Sequence, residues 1–180
     1  MTPEPDQPLF SYPVKVRKLP ARGVHETFEA DAAIAAAVAA AFDLTEVKSL
    51  RADARIKPWQ RQGVSVSGTV TAVVVQPCAI SGEPLQASVS ESFERLYVPE
   101  GSRLAAPNGA DSKEWVLEVD GDEVPDTFQG DAIDLSEAWL ETFSLGLDPF
   151  ARLPDAELPD NPHEEPAPSP FAALSKLKLN

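Results

Sequence analysis

Apolar and polar residues alternate along the middle of the chain. Leu50, Ala52, Ala54 and Ile56 are interleaved with Arg51, Asp53, Arg55 and Lys57. A period of two is the mark of a half-buried β-strand, because successive side chains point to opposite faces. Residues 63–75 repeat the pattern, with Val64, Val66, Val70, Ala72 and Val74 on one side and Ser65, Ser67, Thr69 and Thr71 on the other. Residues 85–98 gather Leu85, Ala87, Val89, Phe93 and Tyr97 on one face. Glu91 falls on that same face, where it either pairs with a buried arginine or lies at the sheet margin. One polar face per strand predicts an antiparallel sheet, since parallel strands are apolar on both faces. A fourth strand is predicted at 114–121, with Trp115, Leu117 and Val119 inward and an Asp-Gly turn signal at its end. Residues 9–16 supply a short first strand that Pro13 confines to an edge, and 99–112 form a loop.

Two segments follow the helical period instead. Residues 31–44, DAAIAAAVAAAFDL, are rich in alanine, the strongest helix former, and Asp31 is placed to cap the N-terminus. Leu135, Ala138, Trp139, Thr142 and Phe143 recur at i, i+3, i+4, i+7 and i+8, a single apolar stripe. Asp134 and Glu137 have capping-box spacing, and Asp131 places negative charge near the positive end of the helix dipole. Gly146 and Pro149 terminate the segment. The expected fold is α+β, a twisted antiparallel sheet of four to six strands, open or curled toward a barrel, with two main helices and an acidic proline-rich C-terminal tail. Residues 1–8 read as a flexible leader, 9–148 as a single domain and 149–170, with seven prolines, as an extended linker. The final element, 171–180, carries Phe171, Leu174 and Leu177 with two lysines. It is too short to be stable alone, and either docks on the body or folds on a partner.

Charge divides the chain unevenly. The net charge is −14, yet residues 111–165 hold 17 acidic and two basic residues, a local −15, while the remainder holds 12 acidic and 13 basic. Such a chain repels a polyanion unless its cations are segregated, and its acidic third suits a basic partner. A single cysteine and a polar, proline-rich start without a secretory signal suggest a reducing, cytoplasmic setting. The longest uncharged run, between Arg61 and Glu83, alternates in polarity and contains Ser, Thr, Gln, Gly and Pro, so no membrane partner is expected.

Candidate chemistry is sparse. Cys78, His25 and His163 are too far apart for a zinc motif, and DGDE at 120–123 lacks the rest of a calcium loop. No nucleophile elbow or phosphate-binding glycine loop occurs. Carboxylates are abundant, but those at a helix start are exposed and lack the burial that raises a pKa for acid catalysis. A hydrolase would need Glu91 to converge with Asp131 or Asp134 in a pocket. No cofactor and no catalytic residue is assigned. Two surfaces remain. Asp131, Asp134, Glu137, Glu141 and Asp148 form an acidic docking surface. Arg51, Arg55, Lys57 and Arg61 form a basic strand face, which Lys15, Arg17, Lys18 and Arg22 join if the first strand lies beside residues 47–57.

Three segments in order carry a resemblance: VSGTVTAVVVQPCAISGEPLQASVSESFERLYVPE at 66–100, DEVPDTFQGDAIDLSEAWLETFSLGLDPFARLP at 122–154, and SPFAALSKLK at 169–178. Together they resemble the YceD family, the large ribosomal RNA subunit accumulation proteins of bacteria and plastids. The resemblance implies a non-enzymatic factor needed for normal accumulation of large-subunit ribosomal RNA, often encoded beside a large-subunit ribosomal protein. Many relatives carry Cys-x-x-Cys at the turn, whereas here Cys78 is followed by Ser81, so no thiol-pair role transfers. The expected mechanism is binding of a basic ribosomal protein or pre-ribosomal large-subunit particle by the acidic third. The alternative is direct rRNA contact by the 51–61 face.

Overall fold

A strand that is wet on one side must bury its other side, and the arrangement of the chain follows from that need. The computed structural model describes residues 8–60, 62–102, 104–105 and 124–157. In chain order these form β1 (Pro13–Lys15), β2 (Val24–Glu29), α1 (Ala32–Ala41), β3 (Glu46–Trp59), β4 (Gly63–Pro77), β5 (Pro84–Pro99), β6 (Asp126–Phe128), β7 (Ala132–Asp134) and α2 (Leu135–Leu145). The main sheet has the order β2-β3-β4-β5-β6 and is open, not closed into a barrel. Its pairings are antiparallel except for β6, which runs parallel to β5 over Tyr97–Pro99. A separate two-stranded ladder joins β1 to β7.

The long strands carry the expected two-fold division. Leu50, Ala52, Ala54 and Ile56 of β3 and Val64, Val66, Val70, Ala72 and Val74 of β4 are buried on one face. The registers Arg51↔Thr71, Arg55↔Ser67 and Lys57↔Ser65 put the polar residues together on the other face, and β5 extends it with Ser88, Ser90 and Ser92. Gly68 lies opposite Phe93, and a side chain there would collide with the Asp53 carbonyl and the Phe93 ring. The ring therefore fills the place the missing side chain leaves open.

Both helices cover the apolar face. Asp31 caps α1 by accepting the Ile34 N–H at 2.8 Å, and the helix rests on β3. α2 buries Leu135, Ala138, Trp139, Thr142 and Phe143, the expected stripe. Trp139 stacks on Phe28 of β2 at a centroid distance of 5.2 Å and lies 4.9 Å from Tyr12, while Phe143 meets Phe42 beyond α1 edge-on at 5.4 Å. These contacts join the N-terminal segment, the sheet and both helices into one core.

Three expectations are corrected or qualified. The first strand does not lie beside β3, because β1 pairs with β7 and the β3 edge is taken by β2. Strand β2 was not recognised: its inward set includes Glu26 between Val24 and Phe28, which blurs the alternation. The sheet is mixed because of β6. Beyond α2, Ala151 is buried and its carbonyl accepts the Ala79 N–H at 2.8 Å. The strand expected at 114–121, Arg61, His163 and the element with Phe171, Leu174 and Leu177 lie outside the described residues.

Trp139 is 2% exposed and packs against the rings of Tyr12 and Phe28. Trp139→Ala should lower stability by about 3–5 kcal/mol, as large core truncations do. Urea unfolding should show this as a lower midpoint at an unchanged slope.

Candidate functional site: the α2 carboxylates and the polar sheet face

The five acidic residues predicted to dock a partner fare differently. Asp134 caps α2 and is half-buried. Its Oδ1 accepts the backbone N–H groups of Tyr12 at 2.9 Å and Ser136 at 3.0 Å and the Ser136 hydroxyl at 2.7 Å, while Oδ2 accepts the Ser11 hydroxyl at 2.5 Å. Burial alone would raise its pKa, but the donors from Ser11, Ser136 and Tyr12 outweigh burial and hold the carboxyl below its ordinary value. Among the described residues Glu137 makes no side-chain hydrogen bond, so the cap lacks the reciprocal half of a capping box. Glu141 is bound to Arg95 at 2.6 Å. Asp148 accepts the Phe150 N–H at 2.9 Å, and its carbonyl accepts from Gln76. Asp131 and Glu137 keep exposed side chains.

Glu137 and Asp126 border a cleft of about 340 Å³ that Arg95, Tyr97, Thr127 and Glu141 also line. The Tyr97 phenol is pushed up to about 12, first by burial and then by Asp126, with smaller contributions from Glu137 and Glu141 and opposition from Arg95. The cleft therefore offers a neutral hydroxyl and three carboxylates against one guanidinium, a place for cations. The strand pattern places Tyr97 inward with Phe93, and Arg95 shares that parity, but sequence alone gives neither a role in a site. Glu91 does not join this group: it sits exposed at the sheet margin, its side chain against Gly146 at the end of α2. Glu91, Asp131 and Asp134 thus do not converge as a hydrolase would require. Among the described residues no cluster of His, Cys, Asp and Glu is arranged to hold a metal ion, and no helix is long and apolar enough to cross a membrane.

The basic face is also partly neutralised. Arg51 is paired with Glu29 at 2.8 Å, and Asp53 is paired with His25 at 2.7 Å. Arg55 and Lys57 are exposed and have no acidic partner among the described residues. The hydroxyls of Ser65 and Ser67 stand directly across from them.

Cys78 occupies the turn between β4 and β5 and is buried. Its Sγ accepts the N–H groups of Ser81 at 3.5 Å and Leu153 at 3.4 Å, so the turn is tied to the chain that follows α2. The Ser81 side chain, aided by the N–H groups of Ser81, Leu153 and Ile80, pulls the thiol down to about 6 against the opposing effect of burial. With no second thiol among the described residues, the arrangement acts as a clasp.

Two outcomes test these readings. A carboxyl with a depressed folded pKa stabilises the fold above its unfolded value of about 3.9 and loses that contribution as pH falls through the folded value. Asp134→Asn should therefore reduce stability at neutral pH and flatten the acid limb of urea midpoints measured against pH. Ser81→Ala removes the main stabiliser of the Cys78 thiolate, so titration of thiolate absorbance should show its midpoint moving upward.

Comparison with known proteins completes the picture. The family model described as large ribosomal RNA subunit accumulation protein YceD matches residues 66–178, more than half of the chain. No curated protein and no solved structure gives a significant match. The matched span begins in β4 and includes the Cys78 turn, β5 and α2.

Proposed function

Because the chain belongs to the YceD family, whose description ties it to accumulation of large-subunit ribosomal RNA, we propose that it is a non-enzymatic assembly factor that binds a basic ribosomal protein, or a pre-ribosomal particle carrying one, through its acidic C-terminal third. The observation that carries this reading is the concentration of charge. Residues 111–165 hold a net −15, and the described part of that region exposes Asp126, Asp131 and Glu137 beside the Glu141–Arg95 pair.

A single exposed ion pair contributes only about 0–1 kcal/mol. Affinity for a lysine- and arginine-rich partner must therefore come from many carboxylates acting together, and such binding is fast and sensitive to salt. A basic ribosomal protein held this way is shielded from indiscriminate contact with RNA until a site with stronger anionic complementarity competes for it. Asp134 contributes indirectly, by fixing the helix that carries Glu137 and Glu141.

The test uses full-length protein and purified basic large-subunit ribosomal proteins, with RNase-treated pre-ribosomal particles as the second ligand. Binding should weaken as salt rises, and the double substitution Asp126→Lys, Glu137→Lys should reduce affinity about ten-fold or more. Absence of salt-sensitive binding to any of these ligands, or indifference to the double substitution, overturns the proposal.

A further inference from the structure

One solvent-facing aromatic residue is unused by the acidic surface. Trp59, the last residue of β3, has the same parity as Arg55 and Lys57 and therefore lies on the polar face. Its cross-strand partner is Gly63, and the indole lies over that glycine: a Cβ added to Gly63 would meet Trp59 Cε3 at 2.6 Å. The glycine thus gives the ring a flat seat while leaving it half-exposed. The core is on the opposite face, so burial does not account for a tryptophan at this position.

Two cations share the ring's face of β3. Lys57 precedes Trp59 by two residues and Arg55 by four, both exposed. The chain entering β2 adds a third. Gly23, at φ 77°, presses its backbone against the Ile56 carbonyl and the Lys57 stem, a fit that any side chain would obstruct. That contact sets exposed Arg22 at the same corner. None of Arg22, Arg55 and Lys57 has an acidic partner among the described residues. Asp53 is engaged by His25, and Glu94 lies two strands from Arg55, beyond Ser67.

We propose that this corner of the sheet binds single-stranded RNA, with an unpaired base stacked on Trp59 and the adjoining phosphates held by Arg22, Arg55 and Lys57. A half-exposed indole beside cations that lack an acidic partner among the described residues suits this ligand, because an unstacked base has a free π-face and each base is followed by a phosphate. Duplex RNA hides its base faces and has no use for the ring. The hydroxyls of Ser65 and Ser67 lie within the same rows and suit contacts to ribose and phosphate oxygens. The net charge of −14 opposes the approach of RNA, but its reach is limited to about 10 Å in 0.1 M salt, whereas ring and phosphate contacts act at a few ångströms. Arg51, held by Glu29, has no part in the surface. The choice of RNA over DNA rests on the family assignment; the corner itself is independent of the acidic protein-binding surface.

Fluorescence anisotropy of the full-length protein with a labelled single-stranded RNA of about 12 nucleotides tests the proposal. The single strand should bind at least about ten-fold more tightly than a duplex of the same length. Trp59→Ala should weaken binding about ten-fold, and Trp59→Phe should restore most of it. Arg22→Glu and Lys57→Glu, at exposed positions, probe the same corner without touching the ring. Each should weaken binding and reduce the slope of log affinity against log salt by about 0.7, while Arg51→Glu should have little effect. No binding, equal binding of duplex, or affinities unchanged in Trp59→Ala, Arg22→Glu and Lys57→Glu overturns it. These variants leave Asp126 and Glu137 intact, so capture of basic ribosomal proteins should persist, and the two proposals fail separately.

Discussion

The apolar stripe of α2 lies on the inner face of a sheet whose other face is lined with serine, threonine and charge, and that one contact organises the molecule. The sheet cannot bury itself, since β3 and β4 have only one apolar side. Trp139 and Phe143 close it, and through Phe28, Tyr12 and Phe42 they draw in β2, the N-terminal segment and the end of α1. Asp134 holds the helix start in place by joining Ser11 and Tyr12 to Ser136 in one carboxylate network. The β1–β7 ladder beside it is too short to persist without that anchor.

This arrangement separates charge by location. The outward side of α2 and the neighbouring β6 carry carboxylates, whereas the solvent face of the sheet, at the corner where β3 turns into β4, carries cations with no acidic partner among the described residues. A factor that serves large-subunit RNA accumulation works where basic proteins meet a polyanion. Under the two proposals, surfaces of both signs on one small fold would suit that environment better than a uniformly acidic or basic protein, because each partner would meet a complementary patch and be repelled elsewhere.

Several elements were legible because their periodicity is strong and local. The parity of Leu50 to Ile56 and of Val64 to Val74, the stripe from Leu135 to Phe143, and the caps at Asp31 and Asp134 all depend on neighbours within a few residues. Strand β2 was not legible, because Glu26 occupies an inward position that is tolerable only beside the Tyr12 hydroxyl, which donates to it at 3.0 Å. The placement of β1 was likewise hidden: its pairing with β7 joins residues more than a hundred positions apart. For the same reason the spacing that marks Asp134 as a cap does not separate Glu141 from Glu137. Only folding brings Arg95 to Glu141 and leaves Glu137 without a side-chain partner among the described residues.

By itself, then, the sequence determined the α+β composition, the face that each long strand and α2 bury, the segregation of acidic charge and the family resemblance. All of these follow from residue type and short-range spacing. Tertiary structure decided which charges remain available, that the sheet stays open, that Cys78 is clasped by Ser81 and Leu153, and that Trp59 lies solvent-facing over Gly63. Those outcomes depend on strand register and on contacts between distant segments. A register shift of one residue would reverse the face of every side chain, and local periodicity does not specify which strands become neighbours.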